Sequence, residues 1–148
     1  MTIDAIIANT EALSINQVIE ESVSETTEEL KNYQQQQMYS GMRADGEPIN
    51  PLHGKYAGYA LRTVQIKQSK GQVTNRVTLR DERNFYLGIV VTPKNNAAEF
   101  TSADGKTDLL IDYYGPQIFG LNKDFAGLYS NNDLKPLAIR KIQEQILR

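Results

Sequence analysis

Three groups of side chains have types and spacing that bear on chemistry. Asp104, Asp108 and Asp112 recur at i, i+4 and i+8, one face of a helix. Three carboxylates are a donor set for a hard cation, but a helix cannot wrap them around one ion as a loop does, so they read as a solvated acidic face. His53 is the single histidine, in "NPLHGKY", with no carboxylate partner near it in sequence. A lone loop imidazole of this kind reads as a solvated side chain rather than a general base. "GKYAGYA" at 54–60 has Gly and Lys but lacks the spacing of a phosphate loop and the Ser/Thr after the Lys. Asp45 beside Glu47 is turn chemistry. Cysteine is absent, which removes disulfides, thiolate metal sites and cysteine nucleophiles. No nucleophile–base pair can be named, so the expectation is a protein that is not an enzyme and that needs no cofactor or metal.

Charge supplies the remaining candidates. Residues 55–83 carry Lys55, Arg62, Lys67, Lys70, Arg76, Arg80 and Arg83 against Asp81 and Glu82, with Tyr56 and Tyr59 interleaved. Such a segment could track a phosphate backbone. Against that stand a pI near 5.4 and the lack of a standard recognition motif. Residues 1–30 carry Asp4, Glu11, Glu20, Glu21, Glu25, Glu28 and Glu29, with no Lys or Arg. The net charge of −2 therefore hides an acidic front and a basic middle. These attract each other within one chain or between copies, or they are two solvated faces. The candidate contact residues are Glu20, Glu21, Glu25 and Glu28 on the acidic side, and Lys67, Lys70, Arg76 and Arg80 on the basic side.

The elements that must position these groups follow from periodicity and punctuation. At 148 residues a single domain spanning 1–148 is expected, with a core of ordinary size. No apolar run is long enough for a membrane span, and "MTIDAIIANTEALS" has no basic start, which argues against a secretory signal. Residues 1–13 read as a short helix or a mobile arm. "SINQ" is a capping box at Ser14, and Ile15, Val18, Ile19, Ser22, Val23, Thr26, Leu30, Tyr33 and Gln37 keep helical spacing. One long helix over 15–38 is predicted, with a weakly apolar middle at Ser22 and Thr26. Asp45-Gly46 is a hairpin signal. Residues 55–68 read as a short helix running into a Lys/Gly loop. Asp81 is expected to cap a short helix through Leu87. Strands follow at 88–93, stopped by Pro93, and at 97–103. A helix from Asp104 or Thr107 is expected to face Leu109, Leu110 and Tyr113 inward and to end at Gly115-Pro116. Asn122 caps a turn over 123–129, and Asp133 caps a last helix with Pro136 in its first turn. Its buried stripe is Leu134, Leu137, Ala138, Ile142 and Ile146. The fold class is α+β: a long N-terminal helix and a C-terminal helix packed on a small antiparallel sheet, with short helices.

"YYGPQIFGLNKDFAGLY" at 113–129 sets a puzzle, because Ile118, Phe119 and Leu121 are apolar in what reads as a chain of turns. The stretch is either a clamp between the C-terminal helix and the sheet or part of a seam with a neighbouring copy. Gly120 permits backbone angles that let Phe119 and Leu121 both turn inward.

Three pieces in order carry a resemblance: "QQQQMYSGMRADGEPINP", "KQSKGQVTNRVTLRDERNFYLGIVV" and "DGKTDLLIDYYGPQIFGLNKDFAGLY" with a Pro-containing helix after it. Over roughly residues 30–148 the chain resembles small virion proteins of tailed phages, of the tail-completion, minor-tail or head–tail-joining kind. The matching residues are Thr78, Leu79, Asp81, Phe85 and Tyr86, then Tyr114, Gly115, Ile118, Phe119, Gly120 and Leu121. Relatives tend to carry a Gly where Arg83 or Asn84 stands, which is a departure in the local turn. The resemblance implies a structural role in a ring of identical subunits at the neck or tail of a virion. It implies copies of the chain and other portal, neck or tail proteins as partners, no membrane, and synthesis in the host cytoplasm. The alternative is a nucleic-acid-binding accessory protein using residues 55–83.

Overall fold

The protein is described by a computed structural model over residues 1–50, 59–81, 83–95 and 97–148. His53, Lys55, Tyr56 and Glu82 lie outside the described residues. The N-terminal region folds as α1 (Ile3–Glu11), α2 (Ile15–Glu25) and α3 (Thr27–Tyr39). Residues 1–13 are thus mostly helix, capped by Thr2, whose hydroxyl accepts from the Ala5 amide at 3.2 Å. Ser14 caps α2 as expected, accepting from the Gln17 amide at 3.3 Å. The return half of the capping box is not made, since Gln17 Nε2 donates to Glu21 Oε1 at 3.1 Å instead.

The helix predicted over 15–38 is broken at Thr26, which sits at φ −115 and ψ 25. The cause is the weakly apolar middle. Ser22 Oγ donates to the Val18 carbonyl at 2.6 Å, and Thr26 Oγ1 lies 2.7 Å from the Ser22 carbonyl. Hydroxyls that bond back to the preceding turn loosen and bend a helix. Thr26 Oγ1 also pairs with the Tyr129 hydroxyl at 2.8 Å, so a buried polar contact occupies the middle of the stripe.

Next come α4 (Leu61–Ser69), the single turn α5 (Asn84–Leu87), and the hairpin of β1 (Ile89–Lys94) and β2 (Ala97–Ser102). The strands are antiparallel, with Ile89 opposite Ser102 and Lys94 opposite Ala97. Asp81 does not cap α5; it is drawn 2.8 Å from Lys70 Nζ, and Arg83 precedes the turn in a left-handed conformation. The Asp45-Gly46 turn forms, closed by an Arg43 amide bond to the Glu47 carbonyl at 2.8 Å and a bridge between Met42 and Pro48.

Helix α6 (Thr107–Tyr114) corrects one expectation. Leu110, Ile111 and Tyr114 face the core, while Leu109 (67% exposed) and Tyr113 (77%) face out. Thr107, Leu110, Ile111 and Tyr114 share one face at i, i+3, i+4 and i+7, which leaves 109 and 113 on another. After a 3₁₀ turn at Pro116–Ile118 comes α7 (Lys123–Tyr129), where Asn122 Oδ1 accepts from the Phe125 amide at 3.1 Å. α8 (Lys135–Ile146) follows. Asp133 is not its cap: Ser130–Leu134 is a wide π-type turn that joins α7 and α8 into one continuous rod. Such a turn accommodates Pro136, which has no N–H to give the ladder. The stripe Leu134, Leu137, Ala138, Ile142 and Ile146 is withdrawn from solvent. The main neighbours of α8 are α2 and α1, and α2 and α3 cover the sheet in its place. The α+β class holds.

Two apolar clusters make the core. Met38, Ile49, Val77, Phe85, Tyr86, Ile89 and Ile118 form the first. Val23, Leu30 and Tyr129 form the second, with Val91, Phe100 and Leu121 packed against them. Residues 118–122 cross from one to the other. Gly120, at φ +99, turns the chain so that Phe119 enters the first cluster and Leu121 the second. The segment is held by two fully buried glutamines of α3. Gln34 donates to the Ile118 carbonyl at 3.1 Å and accepts from the Gly120 amide at 2.7 Å. Gln37 donates to the Gly120 carbonyl at 2.7 Å and accepts from the Asn122 amide at 2.7 Å.

Replacing either amide by an apolar side chain of similar size strands two buried backbone groups. Gln34→Met and Gln37→Met are each expected to cost about 2–4 kcal/mol, read from urea unfolding; a loss below about 0.5 kcal/mol would contradict the clamp. A second expectation concerns alkali. Burial pushes the Tyr59 hydroxyl up to about 12 and raises Tyr86, whose hydroxyl donates to the Thr78 carbonyl. The folded chain therefore keeps protons that the unfolded chain releases near pH 10. Stability is full below that point and falls as pH rises through the folded values. The urea midpoint should drop between about pH 8 and about pH 11, and by less in Tyr59→Phe.

Candidate functional site

The basic segment is divided by the fold into two halves. In the first, Lys67 Nζ sits 5.1 Å from the Tyr59 ring centroid, and burial lowers its pKa. Lys70 pairs with Asp81, whose carboxyl is held below its usual range mainly by that lysine. These groups border a cavity of about 310 Å³ floored by Val77, Leu110 and Tyr114. Arg62 is exposed on α4.

The second half gathers around Tyr39, the last residue of α3. The chain from 76 to 80 drops Val77 into the core and keeps Arg76 and Arg80 above it. The Arg76 and Arg80 guanidinium carbons lie 5.1 and 5.6 Å from the Tyr39 ring centroid. Cations over an aromatic face are attracted by its quadrupole. Arg76 Nε donates to the Tyr39 carbonyl at 2.7 Å and Nη1 to Asn75 Oδ1 at 3.0 Å. The first of these contacts satisfies one of the orphan carbonyls at a helix C-terminus, where positive charge is favoured. Gly41, at φ +81, lets the Arg76 stem lie on the backbone: a Cβ there would meet Arg76 Cβ and Cδ at 3.1 Å.

Arg83 completes the group. It is a non-glycine residue at φ +68. With Arg76 and Arg80 it rims a cleft of about 660 Å³ whose floor includes Leu87 and Phe125. Among the described residues no acidic side chain lines this cleft. Among the described residues neither Arg80 nor Arg83 has an ion pair. The arrangement sets three guanidinium groups beside the apolar side chains of Leu87 and Phe125.

The acidic candidates go elsewhere. Glu21 and Glu25 lie 3.7 and 2.6 Å from Lys141 Nζ on α8, so within the chain the acidic helix meets the C-terminal helix and not the basic segment. Glu20 and Glu28 are exposed with no ion pair among the described residues. Ile118 (0% exposed), Phe119 and Leu121 are committed to the two clusters, so the apolar stretch is an internal clamp and not a free surface for a neighbour. It clamps onto α3 rather than joining α8 to the sheet, because that is where its backbone partners are. Tyr39, Gln34 and Lys141 were not indicated by sequence reasoning, whereas Gln37 was placed on the inward stripe of the helix and is fully buried. Lys141 carries no local signal, since its partner Glu25 lies 116 positions away.

Among the described residues no three His, Asp or Glu side chains gather closely enough to hold a metal ion, and no helix is long and apolar enough to cross a membrane.

A left-handed arginine costs the fold of order 1–2 kcal/mol, while glycine costs about 0.5–1 kcal/mol in backbone entropy. Arg83→Gly is therefore expected to leave the melting temperature unchanged or to raise stability by up to about 1 kcal/mol. A clear loss of stability would mean that Arg83 holds the fold rather than serving the cleft. Compared with known proteins, the chain matches no family model, no curated protein and no solved structure.

Proposed function

We propose that this chain is a structural virion protein of a tailed phage, a subunit of an oligomeric ring at the neck or tail, in a tail-completion, connector or minor-tail role. It works by surface fit and carries no chemical step of its own. Its partners on this reading are copies of itself and neighbouring portal, neck or tail proteins, and its location is the virion. One observation carries the reading. The sequence steps behind the resemblance are about thirty residues apart, yet Leu79, Phe85, Tyr86, Tyr114, Ile118 and Phe119 all enter one apolar cluster. The resemblance thus falls mostly on residues that build a common core, with Asp81 exposed and Leu121 in the second cluster as exceptions.

The surface is consistent with assembly. Large apolar side chains are exposed on several helices, among them Ile3, Leu61, Leu87, Leu109 and Tyr113. The only sheet among the described residues has two strands, so each has an unpaired outer edge. The nucleic-acid reading draws support from Arg76, Arg80 and Arg83, but the other half of the basic segment is engaged within the chain by Asp81 and Tyr59.

Quantitative mass measurement of purified particles of the phage that encodes the chain tests the proposal. The expected result is several copies per particle. Its absence from mature particles would overturn the structural role.

A further inference from the structure

We propose that the arginine cleft over Tyr39 receives helix α1 of a second copy of this chain, in a head-to-tail contact. The proposal rests on the structural role above and names the contact that would build the assembly.

The occupant follows from complementarity. Helix α1 buries none of its own residues, and its clearest tether is a 3.1 Å bond from Asn9 Nδ2 to the Ile146 carbonyl at the end of α8. It exposes Ile3 (75%) and Ile7 (50%). At helical spacing, Ile3, Ile7, Glu11 and Asp4 fall within an arc of roughly 100°. One face of α1 thus offers two isoleucines with two carboxylates along one side of them. The cleft offers the counterpart: an apolar floor with Leu87, 67% exposed, and Phe125, under a rim of three arginines. Apolar contact buries the isoleucines, and each carboxylate meets a guanidinium that has a planar fork to receive it.

The partner must be another molecule. Phe125 lines the cleft at one end of the α7–α8 rod, and Ile146 holds α1 at the other. At 1.5 Å per residue the two are roughly 30 Å apart. A chain cannot fill its own cleft across that span without unfolding its own tether. Two different surfaces at opposite ends make a heterologous contact, which closes into a ring or continues as a filament according to the rotation between copies. A phosphodiester strand would satisfy the arginines but leave the apolar floor unmatched.

Cross-linking in assembled particles tests this, and the chain's lack of cysteine makes it clean. An Ile7→Cys/Leu87→Cys double variant, built into particles and treated with a short bis-maleimide, should give a ladder of covalent dimers, trimers and higher species on a denaturing gel. Adding Arg80→Glu and Arg83→Glu should weaken the ladder about tenfold or more, as expected for losing about 1.4 kcal/mol or more. Adding Asp4→Arg and Glu11→Arg to that variant should restore it. Circular dichroism of each purified variant confirms that it folds. Particles that contain the chain but give no ladder, or a ladder indifferent to charge reversal, overturn the contact and leave the structural role standing. Particles that lack the chain overturn both. If the arginine variants instead lose a salt-dependent gel shift with a DNA oligonucleotide, the cleft serves phosphates and the contact is overturned.

Discussion

Two glutamine side chains on one face of α3 act as a short peptide strand. Gln34 and Gln37 each donate one hydrogen bond and accept one, and between them they take up the backbone of residues 118, 120 and 122. That segment is buried and has no strand beside it, so its amides and carbonyls would otherwise be orphaned at about 1–3 kcal/mol each. Helical spacing of three residues puts both amides on the same side. Gly120 then splits the apolar side chains, one to each cluster. The clamp thus fixes α3 against the chain that leads into the α7–α8 rod, and it joins the two halves of the core.

The position of the cleft follows from that register. Tyr39 ends α3 two residues beyond Gln37, so the clamp also fixes the ring on which Arg76 and Arg80 lie. Phe125, in the first turns of the rod, reaches the same cleft from the other side. The helix C-terminus contributes a carbonyl to Arg76, and Gly41 gives that side chain room. Arg83 is held in a left-handed backbone at the edge of this group. Strain of this kind persists where the surrounding structure enforces it, and it collects at sites of function. Among the described residues three arginines line this cleft and no carboxylate does, and that is the basis for the proposed contact with a second copy.

Local signals were legible in the sequence. Ser14 and Asn122 cap their helices through their own side chains, Gly115 ends α6, and the stripe from Leu134 to Ile146 has its expected side withdrawn from solvent. Several failures share a cause, which is a partner far away in sequence. Thr26 breaks the long helix where its hydroxyl meets Tyr129. Asp81 leaves its capping position for Lys70. Glu25 goes to Lys141 rather than to the basic segment. In the glutamine run at 34–37, helical spacing put Gln37 on the inward stripe, but nothing in the sequence named Gln34 or the backbone that the two amides would hold. The site was legible in part: Arg76 and Arg80 are there by charge alone, whereas Tyr39 required the fold. The left-handed backbone of Arg83 had no signal in its own residue type, since arginine rarely adopts that conformation.

The central claim is that this chain acts by fitting copies of itself and other particle components. Imaging the assembled particle at a resolution that separates helices tests it most directly. The account predicts a closed ring of copies at the neck or tail, each rod spanning from its own arginine cleft toward the next subunit. Density for single, non-adjacent copies, or no density for the chain at all, would contradict it.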